Sequence, residues 1–265
     1  TGTPRRYRFN YHAVTALMAR VYCYMNDPVK AIRCAQNVID HCGLKLQVSN
    51  QEDPVLFEEA LCALNMHKMQ ENLSSRFSEG GKMTSQYFCS TATLNALFEA
   101  TGSTASDVDM RVKSSAFYRN NSEQQAITRK YIKNDNGAIP LLRLPEMYYI
   151  LCEMSSLEDA PQYINLVRNR RGYSTAADYQ SFSDNEDRNR ALDTEYRKEF
   201  YAEGQYFYFL KNHEFTYFIN CPVSEMGKAQ YVFPLPDAEK EYGWTPPVTE
   251  EGSGSEDKDN GDKDK

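Results

Sequence analysis

Apolar positions recur with helical spacing in two separated stretches of the chain. The first runs from Arg8 to Asp40. Ala13, Ala16, Leu17, Val21 and Tyr24 form one stripe, and Ala31, Ile32, Ala35, Val38 and Ile39 form a second. Between them Asn26-Asp27-Pro28 breaks the pattern, with Asp27 suited to cap the next helix and Pro28 to its first turn. The pattern predicts an antiparallel helix pair that stops at Gly43. Ala19 and Ala31 lie twelve residues apart, with Tyr22 between them. That is a tetratricopeptide-like arrangement, in which small residues let two helices cross closely and a tyrosine fills the groove. Stacked helix pairs make scaffolds, which more often bind than catalyse.

Helical spacing returns at Ile139, with Leu141, Leu144, Met147, Tyr148 and Leu151 on one stripe and Pro140 and Pro145 early in it. A further helix is predicted from Ala160 to Arg171, ended by Gly172. A long one is predicted from about Asn185 to Lys211, interrupted by Gly204. The intervening stretch, 44–138, has no sustained period. Val55–Leu64 reads as a short strand and Ser90–Ala100 as a short helix with Leu94, Leu97 and Phe98 on its apolar face. Asp107–Arg111, Ala116–Arg119 and Arg129–Lys133 read as short extended pieces between Asn/Gly-rich turns. The segment 229–248 is extended and proline-punctuated, and 249–265 is an acidic Gly/Ser-rich tail expected to be disordered. The expected fold is mostly α: tetratricopeptide-like helix pairs at 8–42 and 139–212, with an irregular, short-stranded insert at 44–138, all in one domain spanning 1–248.

Composition narrows the function. Of the formal charge of -7, the tail contributes seven acidic residues against three lysines, so the body is nearly neutral. A nearly neutral body lacks the basic face that nucleic acid requires. No apolar run is long enough for a membrane span. The seven cysteines include no C-x-x-C pair, which argues against zinc. Cys23 and Cys34 lie one on each helix of the first pair, close enough in the expected hairpin to approach, and are expected as buried free thiols.

Catalytic constellations are weak. Glu195, Glu199 and Glu203 repeat every four residues, but with Arg190, Arg197 and Lys198 nearby they read as a solvated, salt-bridged helix face. His12, His41, His67 and His213 are scattered and read as surface or capping residues. Arg168, Arg170 and Arg171 suit the negative end of a helix dipole. Gly252-Ser253-Gly254 lacks the strand and helix of a nucleophile elbow, and Asp257–Asp262 lacks the glycine offset and glutamate of a calcium loop. No catalytic residue, metal ligand or cofactor is expected.

Five blocks in order resemble the SusD/RagB family of outer-membrane nutrient-binding lipoproteins of Bacteroidota: RFNYHAVTALMARVY, IPLLRLPEMYYILCE, INLVRNRRG, EYRKEFYAEGQYFYFLK and YVFPLPDAE. The run from Glu199 to Gln205 is the most specific, and Glu203, Gly204 and Gln205 are implied to serve close helix packing. Cys152 stands where the family more often has a small residue. The resemblance implies non-catalytic capture of an oligosaccharide, or in some relatives a peptide, beside a SusC-like TonB-dependent transporter. It implies a surface lipoprotein of the outer membrane. Family members are usually longer, with a lipidated N-terminal cysteine and an earlier helical unit. The chain is therefore expected to be the C-terminal part of a precursor, with an exposed apolar face drawn from Tyr7, Tyr11, Val14, Met18 and Tyr22. A glycoside hydrolase and a pure protein-interaction scaffold are the alternatives. The first would show two carboxylates across a cleft, the second a groove without exposed aromatics.

Sugar rings are held by aromatic faces with a few polar groups beside them. Two aromatic doublets in the insert, Tyr87-Phe88 and Phe117-Tyr118, are flanked by Ser, Thr, Asn and Arg and are the candidate ligand-binding residues. In an extended segment neighbours point to opposite faces, so one member of each doublet is expected to be core.

Overall fold

A computed structural model describes residues 3–49, 53–77, 79, 86–99, 109–113, 115–120, 122–237 and 239. The chain divides into two compact units, Thr1–His213 and Glu214–Lys265. In the first, α1 (Thr3–Arg6) leads into α2 (Tyr11–Tyr24) and α3 (Pro28–His41), which pack together as the predicted hairpin. The Asn10 carboxamide accepts from the Ala13 amide and the Asp27 carboxylate from the Lys30 amide, so each helix start is capped by a side chain. Ala13, Ala16, Ala19, Ala31 and Ala35 are fully buried, which is the close crossing that their spacing implied. Tyr22 is only half-buried, with the Lys30 ammonium 5.2 Å from its ring centre.

The second periodic stretch departs from the predicted helix at its start. Residues from Ile139 are not helical: β5 (Ala138–Arg143) is a strand, and α6 (Leu144–Met154) starts only after it. Strand β1 (Ala60–Asn65) pairs with β5 antiparallel, with a register irregularity around Cys62. In a two-stranded ribbon every position is an edge, so Pro140 is tolerated there. α6 is buried on almost every side and packs against α3, α7 (Ala160–Arg171) and α8 (Asn185–Glu199), which makes it the central helix. Gly172 ends α7 at φ +119°.

The expected long helix from Asn185 is two helices, α8 and α9 (Gln205–Asn212). Gly204 lies between them at φ +81°, and a Cβ there would meet nothing within 4 Å. Its role is therefore the left-handed turn and not the close packing that the family resemblance implied.

In the insert, the polar helix α4 (Met69–Phe77) has no apolar stripe to announce it in the sequence. α5 (Thr91–Leu97) lies where the spacing predicts, with Ser90 as its cap. Strands β2 (Cys89–Ser90), β3 (Phe117–Asn120) and β4 (Gln125–Thr128) form an antiparallel sheet in the order β2-β4-β3. Two expected extended pieces are turns. Met110–Val112 is a 3-10 turn, and the chain bends after Arg129 because the strand ends at Thr128. The sheet closes over Leu94, Leu97, Phe98, Val112, Ala116, Phe117 and Ala126.

Along α2, Tyr11, Val14 and Met18 are exposed, whereas Tyr7 stacks on Phe57 at 5.3 Å and is half-buried. In the second unit, the Tyr231 hydroxyl donates to the Phe215 carbonyl at 2.6 Å. The described part of 229–248 carries no strand. The acidic tail, its Gly-Ser-Gly and the calcium-like stretch lie outside the described residues. No helix among the described residues is long and apolar enough to cross a membrane.

Candidate glycan-binding surface and its ionic anchor

The glutamates of α8 do not form a solvated face. Glu195 and Glu199 are 1% and 2% exposed, and they sit inside a buried ionic cluster. Glu199 accepts from Arg143 at 2.6 Å, from Arg171 at 2.9 and 3.0 Å and from Arg111 at 3.0 Å. Glu195 accepts from Arg168 at 2.6 Å and from Arg111 at 3.0 Å. Glu59 takes Arg171, Asp109 takes Arg111, and Glu203 takes Arg143 and Lys130. Arg168 and Arg171 thus serve this cluster, not merely the dipole of their helix. The solvated-face expectation fails for a physical reason: charges every four residues look the same on a wet face and on one whose partners come from distant segments.

Burial works against the charge of Glu195 and Glu199, yet the surrounding cations prevail. Desolvation raises the Glu195 pKa, but Arg111, Lys198 and Arg168 bring it down to about 2. Arg171, Arg143 and Arg111 hold Glu199 well below the usual range against the same penalty. Glu195 and Glu199, closed to solvent and each paired with several cations, are placed to hold the fold together.

The cluster ties the insert to the helices. Lys130 Nζ reaches inward to Glu203 Oε1 at 2.5 Å and to the Glu199 carbonyl at 3.2 Å. Its two neighbours are used outward. Arg129 bonds Glu79 at 2.6 Å and places its guanidinium carbon 5.9 Å from the Tyr118 ring centre. The Tyr131 hydroxyl donates to the Ala202 carbonyl, and its ring lies 4.8 Å from Phe77. Phe77 in turn lies 5.7 Å from Tyr87, which has the Arg76 guanidinium 5.5 Å from its ring centre. The Tyr87 amide donates to the Arg76 carbonyl at 2.8 Å.

The four candidate residues divide accordingly. Tyr87 and Phe88 are exposed, at 62% and 44%, both of them because they precede β2 instead of alternating within it. On β3 the pleat sends Phe117 inward, against Phe98 and Tyr201, and leaves Tyr118 half-buried on the outer side. Phe117, only 3% exposed, is core and offers no face to a ligand. Ala126 of β4 pairs with both Cys89 and Arg119. Continuing that register by one residue sets Phe88 level with Tyr118, about 10 Å away across two strand spacings. Phe77, Tyr131, Arg76 and Arg129 join this surface, although sequence reasoning missed them. The available signal was an arginine next to, or two residues before, an aromatic ring. Among the described residues, no three histidine, cysteine or carboxylate groups are placed to hold a metal ion.

No curated protein sequence matches the chain. Solved structures share its fold. A SusD superfamily protein from Bacteroides fragilis is 20% identical, with a TM-score of 0.57 over 77% of this chain and 54% of its own. A SusD-like carbohydrate binding protein from Bacteroides vulgatus is 18% identical, with a TM-score of 0.55 over 78% of this chain and 46% of its own. Surface glycan-binding protein A from Bacteroides thetaiotaomicron, in complex with laminarihexaose, is 14% identical, with a TM-score of 0.65 over 91% of this chain and 64% of its own. The chain thus spans roughly half to two-thirds of the length of these proteins. The sequence profile of the SusD family matches residues 67–211. That match covers more than half of the chain, from just before α4 into the last turn of α9, and the chain belongs to the SusD family.

Proposed function

We propose that this protein binds an oligosaccharide, without cleaving it, on the aromatic surface formed by Tyr87, Phe88 and Tyr118. The observation that carries the reading is the continuity of that surface: two exposed rings and one half-buried ring with guanidinium groups beside them, held by Lys130 on an ionic core. Ring faces take the apolar C–H faces of sugars, and adjacent guanidinium groups donate to hydroxyls. The spacing of Phe88 and Tyr118 suits a chain of linked sugars better than a single ring. Likeness of fold to proteins whose names include carbohydrate and glycan binding supports the same class of ligand. On the same reading the protein is an outer-membrane surface lipoprotein that passes its ligand to a TonB-dependent transporter, a role supported by its resemblance to the family.

The test is calorimetry of the protein against laminarihexaose, maltohexaose and a mannan oligosaccharide. Tyr87→Ala at a true stacking position costs roughly 2 kcal/mol of binding, and Phe88→Ala and Tyr118→Ala weaken the same ligand. Unchanged affinity in all three variants would remove this surface from the site. Release of shorter sugars from any of these substrates would replace binding by hydrolysis.

A further inference from the structure

A second polar cleft lies on the helical scaffold, formed entirely by residues outside the aromatic surface. Its walls are the turn between α2 and α3, the C-terminal end of α6, the first turn of α8 and the end of α9. Its volume is about 810 Å³, within the usual size of small-molecule sites.

Its lining is unusual in one respect. Asn26, Asn185, Asn189 and Asn212 converge on it from three different segments. None of their carboxamides makes a side-chain hydrogen bond to another described residue. Asn189 and Asn212 are half-buried, so these are not merely solvated surface amides. Tyr24, 47% exposed, supplies an aromatic wall. Arg188 is fixed at the margin by its bond to the Ser155 carbonyl at 2.9 Å.

The charge around the cleft is mixed, with Arg188 and His213 on one side and Glu153 on the other, and favours neither sign. Glu153 lines the cleft but is buried and lies 3.1 Å from His213 Nε2, so little of it faces a ligand. Glu186 and Asp187 occupy the first turn of α8, and the Asp184 side chain already caps that turn, which disfavours an anion there. A carboxamide both donates and accepts, as a hydroxyl does. Four uncommitted carboxamides beside one exposed ring therefore match a neutral polyhydroxylated ligand.

We infer that this cleft is a second saccharide site, at which Asn26, Asn185, Asn189 and Asn212 bond sugar hydroxyls and Tyr24 packs on a ring. The inference shares with the proposed function only the class of ligand. A chain that engaged both sites would gain avidity without any new contact.

The test uses protein labelled with ¹⁵N-asparagine, titrated with laminarihexaose, maltohexaose and, separately, inorganic phosphate. The expected result is a saturable movement of the Asn189 and Asn212 side-chain amide signals with at least one hexasaccharide. The movement persists in the Tyr87→Ala/Phe88→Ala variant, which lacks the first surface. In Asn189→Ala/Asn212→Ala the remaining Asn26 and Asn185 side-chain signals respond with affinity weakened about tenfold or more, the loss of two hydrogen bonds, and Tyr24→Ala, at an exposed position, weakens the Asn189 and Asn212 response without threatening the fold. Signals that stay fixed with both sugars overturn the inference, whether or not the Tyr87 surface binds. So do signals that move only with phosphate, or that stop moving once Tyr87 and Phe88 are replaced. Loss of affinity in the Tyr87→Ala/Phe88→Ala variant alone bears on the first site and leaves this one to its own signals.

Discussion

Replacing Glu195 with glutamine keeps the shape of the side chain and removes one negative charge from the buried cluster. Arg111, Arg168 and Lys198 then face one another with less compensation. A carboxyl held at about 2 against an ordinary 4.5 contributes about 3 kcal/mol to native stability at neutral pH. Breaking one partner of a buried pair typically costs about 3–5 kcal/mol, so the two routes agree. For a protein of this size the change lowers the melting temperature by roughly 6–12 °C. The assay is urea unfolding of the wild type and Glu195→Gln, followed by circular dichroism from pH 7 down to pH 3. The sign follows from the depressed pKa. The contribution of Glu195 is fully present above the unfolded-state value and is lost as pH falls toward the folded-state value. The stability gap between the two proteins is therefore constant above about pH 5.5 and narrows below it. A gap under about 1 kcal/mol at pH 7, or one that does not change on acidification, would refute the view that Glu195 is held ionised by its partners.

Other outcomes follow from single positions. Phe117→Ala should destabilise by about 3–5 kcal/mol as a core truncation; its ring offers no exposed face, so denaturant midpoints and calorimetry together separate it from Tyr87→Ala. Gly204→Ala should cost about 1–2 kcal/mol through its left-handed backbone alone, measurable as a shift in the urea midpoint with an unchanged slope. Tyr131→Phe should cost about 1 kcal/mol by removing the bond to Ala202, and a loss of ligand affinity alongside it would show that the loop positions the rings. Burial pushes the Cys152 thiol up to about 12 and raises that of Cys23, so iodoacetamide at pH 8 should modify half-buried Cys221 well before either, as read by peptide mass spectrometry.

Helix periodicity carried the scaffold because its stripes are local: α2, α3 and α7 follow from spacing, caps and the stops at Pro28 and Gly172. It misplaced the start of α6 because Ile139, Leu141 and Leu144 fit both a strand entering a helix and one continuous helix. Only the pairing of β5 with distant β1 decides between them. The glutamates of α8 were misread for the same reason, since Glu59, Asp109, Arg111 and Arg143 meet them only in the folded chain. The aromatic doublets were visible as doublets. Phe117 was lost to the core by strand alternation, and Phe77 and Tyr131 carry only a nearby arginine as a local signal, with nothing local to announce that their rings meet.

The ionic cluster also bears on how the protein opens. Its members come from 59, 109–111, 130, 143, 168–171 and 195–203, so they span the insert and the scaffold alike. Detaching any one segment leaves unpaired charge in a dry interior, a cost far above that of a fraying loop. The insert and α8 thus share one cooperative unit. Amide hydrogen exchange at 110–112 should proceed at the free energy of α8 opening, not at that of an ordinary surface turn.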